Sequence, residues 1–311
     1  MIFNLDKNPL NNERFVNKQN SLVCSKVCLF TNARDEEHIK EWVAHHLLLG
    51  FNKIIIFDHK SKQPLSQIFT NFDKRLEIIN VSHMENPIKI KLMNIANNIS
   101  KKMNMDWMIY LDADEFLILH NKYKGVKHLL TNFNYADSLS INWLMFGSNY
   151  LKKDPPGLII ENYTKSELYL NNHVKTFVRP NMVLNATNPH YYNMINNNKI
   201  YGINNKLIKE DFYKNDIKLK FYESPAYIAH YINQSEESFT KRKINLPADD
   251  TGINRNFDIN NIEKIHDQFN DGENLQPKMK YAKNINKFLE KYTTIINTDD
   301  NHDNKNNNFM N

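Results

Sequence analysis

The sequence predicts an α/β protein organised around a sheet, and three observations carry that expectation. Strand-like apolar runs alternate with helix-period segments over the first 120 residues, the connections are short, and three strand ends close on acidic residues. Such alternation builds an α/β sheet, whose ligands gather at the carboxyl ends of the strands. With 311 residues, 41% of them hydrophobic and 12% aromatic, the chain suffices for one large domain or two small ones with a real core.

The elements follow in order. Residues 1–20 are polar and read as an N-terminal arm. Val23 to Ala33 (VCSKVCLFTNA) contains the first strand, after which Asp35 is expected to cap a helix. Ile39, Trp42, Val43, His46 and Leu47 then recur at helical spacing, and Gly50 sits where a C′ residue belongs. Lys53 to Phe57 (KIIIF) is a continuous apolar run, the pattern of a buried parallel strand, and it closes on Asp58. Leu76 to Val81 is the third strand, residues 88–103 a helix, and Trp107 to Leu111 the fourth strand. Beyond residue 120 the pattern loosens. Strands are expected at Ser138 to Phe146, Lys175 to Val178 and Tyr227 to Ile232, with a helix from Glu236 to Lys243. Residues 181–215 read as an Asn-rich loop, and the polar residues 297–311 as a disordered tail.

Composition narrows the chemistry. A net charge of +5, with lysines spread along the chain, suits an anionic ligand without pointing to nucleic acid. Cys24 and Cys28 have no companions to form a zinc site or a disulfide framework. No signal peptide and no apolar run of membrane-spanning length is visible, so the expectation is a soluble, cytoplasmic protein without a transmembrane segment. Only seven glycines occur, in neither of the glycine patterns that cradle phosphates. A nucleotide held by this chain needs another means of neutralising its phosphates.

The stretch WMIYLDADEF (107–116) offers one. An apolar run ends in Asp112, Asp114 and Glu115, and strand periodicity places Asp112 and Asp114 on one face if the strand continues through them. Two carboxylates on a shared face repel unless a cation lies between them, and burying them unpaired costs several kcal/mol. Hard divalent cations, Mn²⁺ or Mg²⁺, take such oxygens and complete their shell with substrate phosphates.

The chain also resembles the family 2-like and family 92-like glycosyltransferases of the GT-A fold. The resemblance rests on five blocks in order: ARDEEHIKEWVAHHLLLGFNKIIIFDHKS (33–61), WMIYLDADEFL (107–117), INWLMFGSNY (141–150), KTFVRPNMVLNATNPH (175–190) and IAHYINQSEESFTKRK (228–243). It implies a mixed central sheet flanked by helices in one domain over residues 21–296. Residues 21–120 would be its nucleotide-binding half and 121–296 its acceptor-side half. It further implies metal-dependent transfer of a sugar from a nucleotide-diphosphate donor, a UDP-sugar first, to a glycan, lipid-linked or protein acceptor. Arg34, Asp35, Glu36, Asp58 and Asp112 would meet the donor, with Asp112, Asp114 and His230 at the metal. The family's D-N-x-S-x-D turn is changed here to DHKSKQ (58–63).

Inverting transfer needs a carboxylate base to take the proton of the acceptor hydroxyl. Glu161, Asp249 and Asp250 compete for that role, and retention of configuration stays open. Trp143 and Phe146 suit either a sugar-stacking platform or the core, and Lys175 and Arg179 either phosphate or surface ion pairs. His45 and His46 fit no zinc spacing and are expected in the core. Two rivals use the same residues: a non-catalytic sugar-nucleotide-binding or structural protein, and a haloacid-dehalogenase-like phosphohydrolase with Asp112 as nucleophile.

Overall fold

The structure, a computed structural model, describes residues 24–208, 218–254 and 262–306. The expected arm at 1–20 lies outside them. The last helix runs to Asn306, across part of the expected tail, and 307–311 lie outside the described residues.

In chain order the first half comprises β1 (Val27–Ala33), α1 (Ile39–Leu48), β2 (Lys53–Asp58), α2 (Leu65–Ile68), β3 (Leu76–Asn80), α3 (Lys89–Lys102), β4 (Trp107–Tyr110) and β5 (Glu115–Leu119). There follow α4 (Val126–Thr131), β6 (Ser138–Met145), α5 (Ile159–Asn162), β7 (Lys165–Ser166), β8 (Val174–Val178), β9 (Val183–Ala186), β10 (Tyr192–Met194) and β11 (Ile200–Gly202). The chain closes with β12 (Ala226–His230), α6 (Glu236–Phe239), a π-helical turn (Thr240–Ile244), α7 (Ile262–His266), β13 (Gly272–Glu273) and α8 (Gln276–Asn306). The region expected as one Asn-rich loop thus carries three short strands, β9 to β11. β9 and β10 pair with each other as a local antiparallel hairpin, while β11 pairs with the distant β6, which local composition does not reveal.

The main sheet is mixed, ordered β3-β2-β1-β4-β8-β6-β12-β5, with β11 also pairing β6. β1 to β4 are parallel where they pair, β8 runs antiparallel to both β4 and β6, and β12 is parallel to β6 but antiparallel to β5. Both faces are covered, as the continuous apolar strands require. Val27, Leu29, Ile54, Ile56, Trp107 and Ile109 point into one core, while Cys28, Phe30, Ile55, Phe57, Met108 and Tyr110 alternate into the other. The expected α/β architecture, a mixed sheet between helices, is the one observed.

α1 fastens β5 to the first core. The Trp42 indole N–H donates to the carbonyl of Glu115 at 2.7 Å, and a ring N–H of His45 to that of Leu117 at 2.8 Å. His45 and His46 are fully buried core residues, as their spacing led us to expect. Gly50, at φ +92°, closes the helix by donating to Leu47. Asp35 does not cap it: the N-cap residue is His38, and the Asp35 carboxylate instead accepts from the Lys62 amide. Both cysteines are buried and free. Among the described residues no helix is long and apolar enough to cross a membrane.

Candidate active site

The mixed topology brings strand ends of opposite polarity to one edge. Because β6 and β12 point the same way as β1 and β4, their carboxyl ends share that edge with the amino ends of β5 and β8. A cleft opens there. Its walls include Asn32 near the end of β1 and Arg34 just after it, Asp112 and Asp114 between β4 and β5, Lys175 on β8, and His230 ending β12.

The chain does not continue as a strand through the acidic stretch. β4 stops at Tyr110, and residues 111–114 cross to β5 at the far edge of the sheet, with the Glu115 amide turning back onto the Asp112 carbonyl. Asp112 and Asp114 therefore face one cleft from a turn, not from one strand face. Glu115 sits behind them, fully buried, and its carboxylate accepts from the Asp112 amide at 2.8 Å. Burial, opposed by Lys175, pushes the Glu115 carboxyl up to about 7.

Asp112 is gripped by two lysines. Lys89, the first residue of α3, pairs with its Oδ1, and Lys175 lies 3.0 Å from its Oδ2. The Asp112 side chain is 30% exposed, whereas those of Lys89 and Lys175 are 7% and 1% exposed. Lys89 also donates to Asn32 at 3.2 Å and lies over the Tyr110 ring. Burial, with the neighbouring Lys175, lowers the Lys89 ammonium to about 8. Lys175 is thus no surface residue, while Arg179 is structural: it donates to the carbonyls of Ala136 and Asn134 and covers Trp107.

Asp114 forms the other pole. Its Oδ2 is 2.5 Å from Arg242 and 3.3 Å from Lys243, and its Oδ1 is 3.5 Å from His230 Nε2. Burial pushes its carboxyl up, but Lys243, His230 and Arg242 outweigh burial and hold it well below the usual range. His230 is itself lowered to about 4 by burial, so near neutral pH its imidazole is uncharged and the two basic residues balance Asp114. Arg242 and Lys243 reach inward from the π turn, whose extra residue per turn re-aims side chains. Arg242 also lies 3.8 Å from Glu36.

A divalent cation fits part of this set. Two ligands at right angles on a hard cation, each about 2.1 Å away, stand roughly 3 Å apart, close to the 3.5 Å between Asp114 Oδ1 and His230 Nε2. His230 Nδ1 and Glu115 Oε1 are both buried without hydrogen-bond partners and lie 3.9 Å apart, so the carboxylate stands beside the imidazole without a hydrogen bond to it. Asp112 faces the same cleft, but its oxygens are taken by the lysines. Among the described residues no group of three or more His, Cys, Asp or Glu is placed to hold a metal, so water or substrate oxygens would complete the shell.

The remaining wall is the loop 246–250. Its Asp249 carbonyl accepts the amides of Ile88 and Lys89, and its carboxylate takes a hydrogen bond from Asn32 at 2.5 Å. Asp250 is exposed at the cleft. Trp143 also lines it, but the ring stacks on His173 and meets His230 edge-on at 4.4 Å, while Phe146 is fully buried, so both pack the protein.

Of the residues singled out in the sequence, Arg34, Glu36, Asp112, Asp114, His230, Asp249 and Asp250 come together around the cleft. Three do not line it. Asp35 is exposed in the turn after β1, Asp58 is buried and accepts from the Leu65 amide at the start of α2, and Glu161 lies on α5 beside Asn286 of α8. Lys89, Arg242, Lys243 and Asn32 went unnoticed. Of these, Arg242 and Lys243 fall within the matched block 228–243, where their charge was the available signal; Lys89 and Asn32 carried none.

The profile of glycosyltransferase family 92 matches residues 19–271. A glycosyltransferase family 92 protein of Ricinus communis is 23% identical over 223 residues, covering 67% of this chain and 40% of that protein. The chain therefore spans about two fifths of that relative's length. Among solved structures, S. aureus TarS gives a TM-score of 0.33 at 15% identity, covering 51% of this chain and 29% of that one, a likeness too slight to argue from.

Proposed function

The chain belongs to glycosyltransferase family 92, and from that premise we propose that the cleft transfers a sugar from a nucleotide-diphosphate donor, a UDP-sugar first, to a glycan, lipid-linked or protein acceptor hydroxyl. One observation carries the reading: Asp114 and His230 converge at 3.5 Å in a cleft that also holds Lys89, Lys175, Arg242 and Lys243. A carboxylate and an imidazole able to hold a cation, beside four basic groups, suit a diphosphate rather than a neutral sugar alone.

In this reading Asp114 and His230 hold Mn²⁺ or Mg²⁺, which supplies Lewis-acid stabilisation of the leaving diphosphate. The chain's own groups do the rest. Arg242 and Lys243 add positive charge where negative charge develops on the leaving group. Glu115 keeps the His230 ring in place from behind. Asp250, exposed at the cleft, is the carboxylate best placed to accept the acceptor's proton in an inverting transfer. Asp249 is committed to Asn32 and to α3, which suits it to shaping the wall. A phosphohydrolase with Asp112 as nucleophile fits poorly, because both of its oxygens are occupied by lysines.

The test is a screen of UDP-, GDP- and dTDP-sugars for hydrolysis and transfer, with Mn²⁺ and with chelator. Wild type is expected to turn over one donor class with metal, and Asp114→Ala to lose at least a hundredfold in kcat while keeping its circular dichroism spectrum. Binding of a sugar nucleotide without turnover under any condition would favour a non-catalytic protein instead.

A further inference from the structure

Resting on the reading of the cleft as a donor site, we propose that Lys89 and Lys175 form a second grip on the diphosphate, one that works without metal. The two aspartates then differ in task. Asp114 faces the cation, whereas Asp112 is the counter-ion that keeps two buried ammonium groups aimed into the cleft.

Desolvation supplies the argument. Burying an ammonium is costly unless it is paired. Asp112 is 30% exposed and water alone would satisfy it, yet two lysines of 7% and 1% exposure are brought to its two oxygens. Neutralising Asp112 needs neither of them. The economical explanation is that the carboxylate, with Glu115 at 3.5 Å from Lys175, stabilises the lysines rather than the reverse.

Their surroundings fix them in position. Lys89 starts α3, donates to Asn32 and lies over Tyr110, while Lys175 donates to the Pro189 carbonyl and lies over Trp143. Both line the cleft. An ammonium has three N–H groups, and Lys89 spends one on Asp112 and one on Asn32, leaving a donor for a phosphate oxygen, whereas Lys175, with Asp112, Glu115 and the Pro189 carbonyl around it, contributes its charge. The pair comes from α3 and β8, whereas Arg242 and Lys243 come from the π turn, and all four line the one cleft, so a diphosphate held there meets cations from three elements.

Inorganic pyrophosphate is the probe, titrated calorimetrically into the full chain in excess chelator. Wild type is expected to bind it, more tightly than orthophosphate, and Lys89→Met and Lys175→Met each to weaken binding about tenfold. Lys91→Met, an exposed lysine of the same helix, is the control and leaves binding unchanged. Should a Met variant fail to fold, Lys89→Arg and Lys175→Arg keep the charge and should retain binding within about threefold, and the wild-type titration stands without any variant. Pyrophosphate binding only after Mn²⁺ is added overturns the grip, as does metal-free binding that both Met variants leave intact. Turnover of a sugar nucleotide measured alongside separates the two readings. Turnover with strictly metal-dependent pyrophosphate binding removes the grip and keeps the transferase. Metal-free binding without turnover of any donor removes the transferase and keeps the grip.

Discussion

Asp250 and Glu161, two candidate bases, differ in position rather than in chemical type. Both are carboxylates downstream of the acidic turn, and the sequence put Glu161 first with Asp249 and Asp250 as alternatives, without singling one out. In the fold Asp250 lies exposed at the cleft, while Glu161 sits on a short helix against α8, accepting from Asn286 at 3.5 Å. A general base contributes typically 10²- to 10⁴-fold and must reach the proton it takes. Asp250→Asn is therefore expected to lower kcat about a hundredfold or more with little change in donor KM. Glu161→Gln should leave both within about twofold. Steady-state kinetics on the donor identified by the screen decides between them, and the reverse outcome would return the role to Glu161.

At the scale of elements, the F-G-S stretch after β6 is explained by a close approach. A Cβ added at Gly147 would come 2.7 Å from the Phe269 carbonyl oxygen and 2.4 Å from Asn270 Oδ1. Asn270 is there for a reason, since its side chain accepts the Asn149 amide at 2.9 Å and ties the 146–150 loop to residues 267–270. Overpacking of this kind costs about 1–3 kcal/mol. Gly147→Ala should lower the urea midpoint accordingly. Adding Asn270→Ala should recover only part of the loss, because the backbone oxygen of Phe269 remains in the way. Full recovery would mean that the backbone contact is unimportant.

At the scale of the whole molecule, the core histidines set an acid limit on stability. Burial lowers the His45 imidazole to about 4, and His46 is also well below its usual value. Unfolding frees both to bind protons near the ordinary value of 6.5, so the unfolded state takes up more protons on the acid side. Their contribution is complete above about pH 6.5 and declines as pH falls toward 4. For His45 the loss at pH 5 is about 2 kcal/mol. Across pH 8 to 5 the buried Glu115 carboxyl gains stability as pH falls and opposes the histidines, so the test is the difference between wild type and His45→Gln, which keeps a donor for Leu117. The wild-type advantage in urea midpoint should shrink as pH falls through 6.5, and an advantage that does not change with pH would show that His45 is not the group responsible.

What the sequence determined by itself follows from local physics. Continuous apolar runs, buried on both faces, defined β1, β2 and β4, helical spacing defined α1, and the abrupt passage from WMIYL to three carboxylates marked the edge where the cleft opens. Those signals lie within a few residues, and so are legible without a partner. Tertiary structure decided the rest. The acidic stretch proved to be a turn because β5 belongs four strands away from β4, a pairing no local pattern encodes. The short strand β11 exists only through its long-range partner β6. Above all, a charge read along the chain has no sign of burial: Lys175 looked like a surface residue and Lys89 like one lysine among many. Only the convergence of α3, β8 and the turn after β4 shows that they face Asp112, because the cost of burying an ammonium depends on what surrounds it in space.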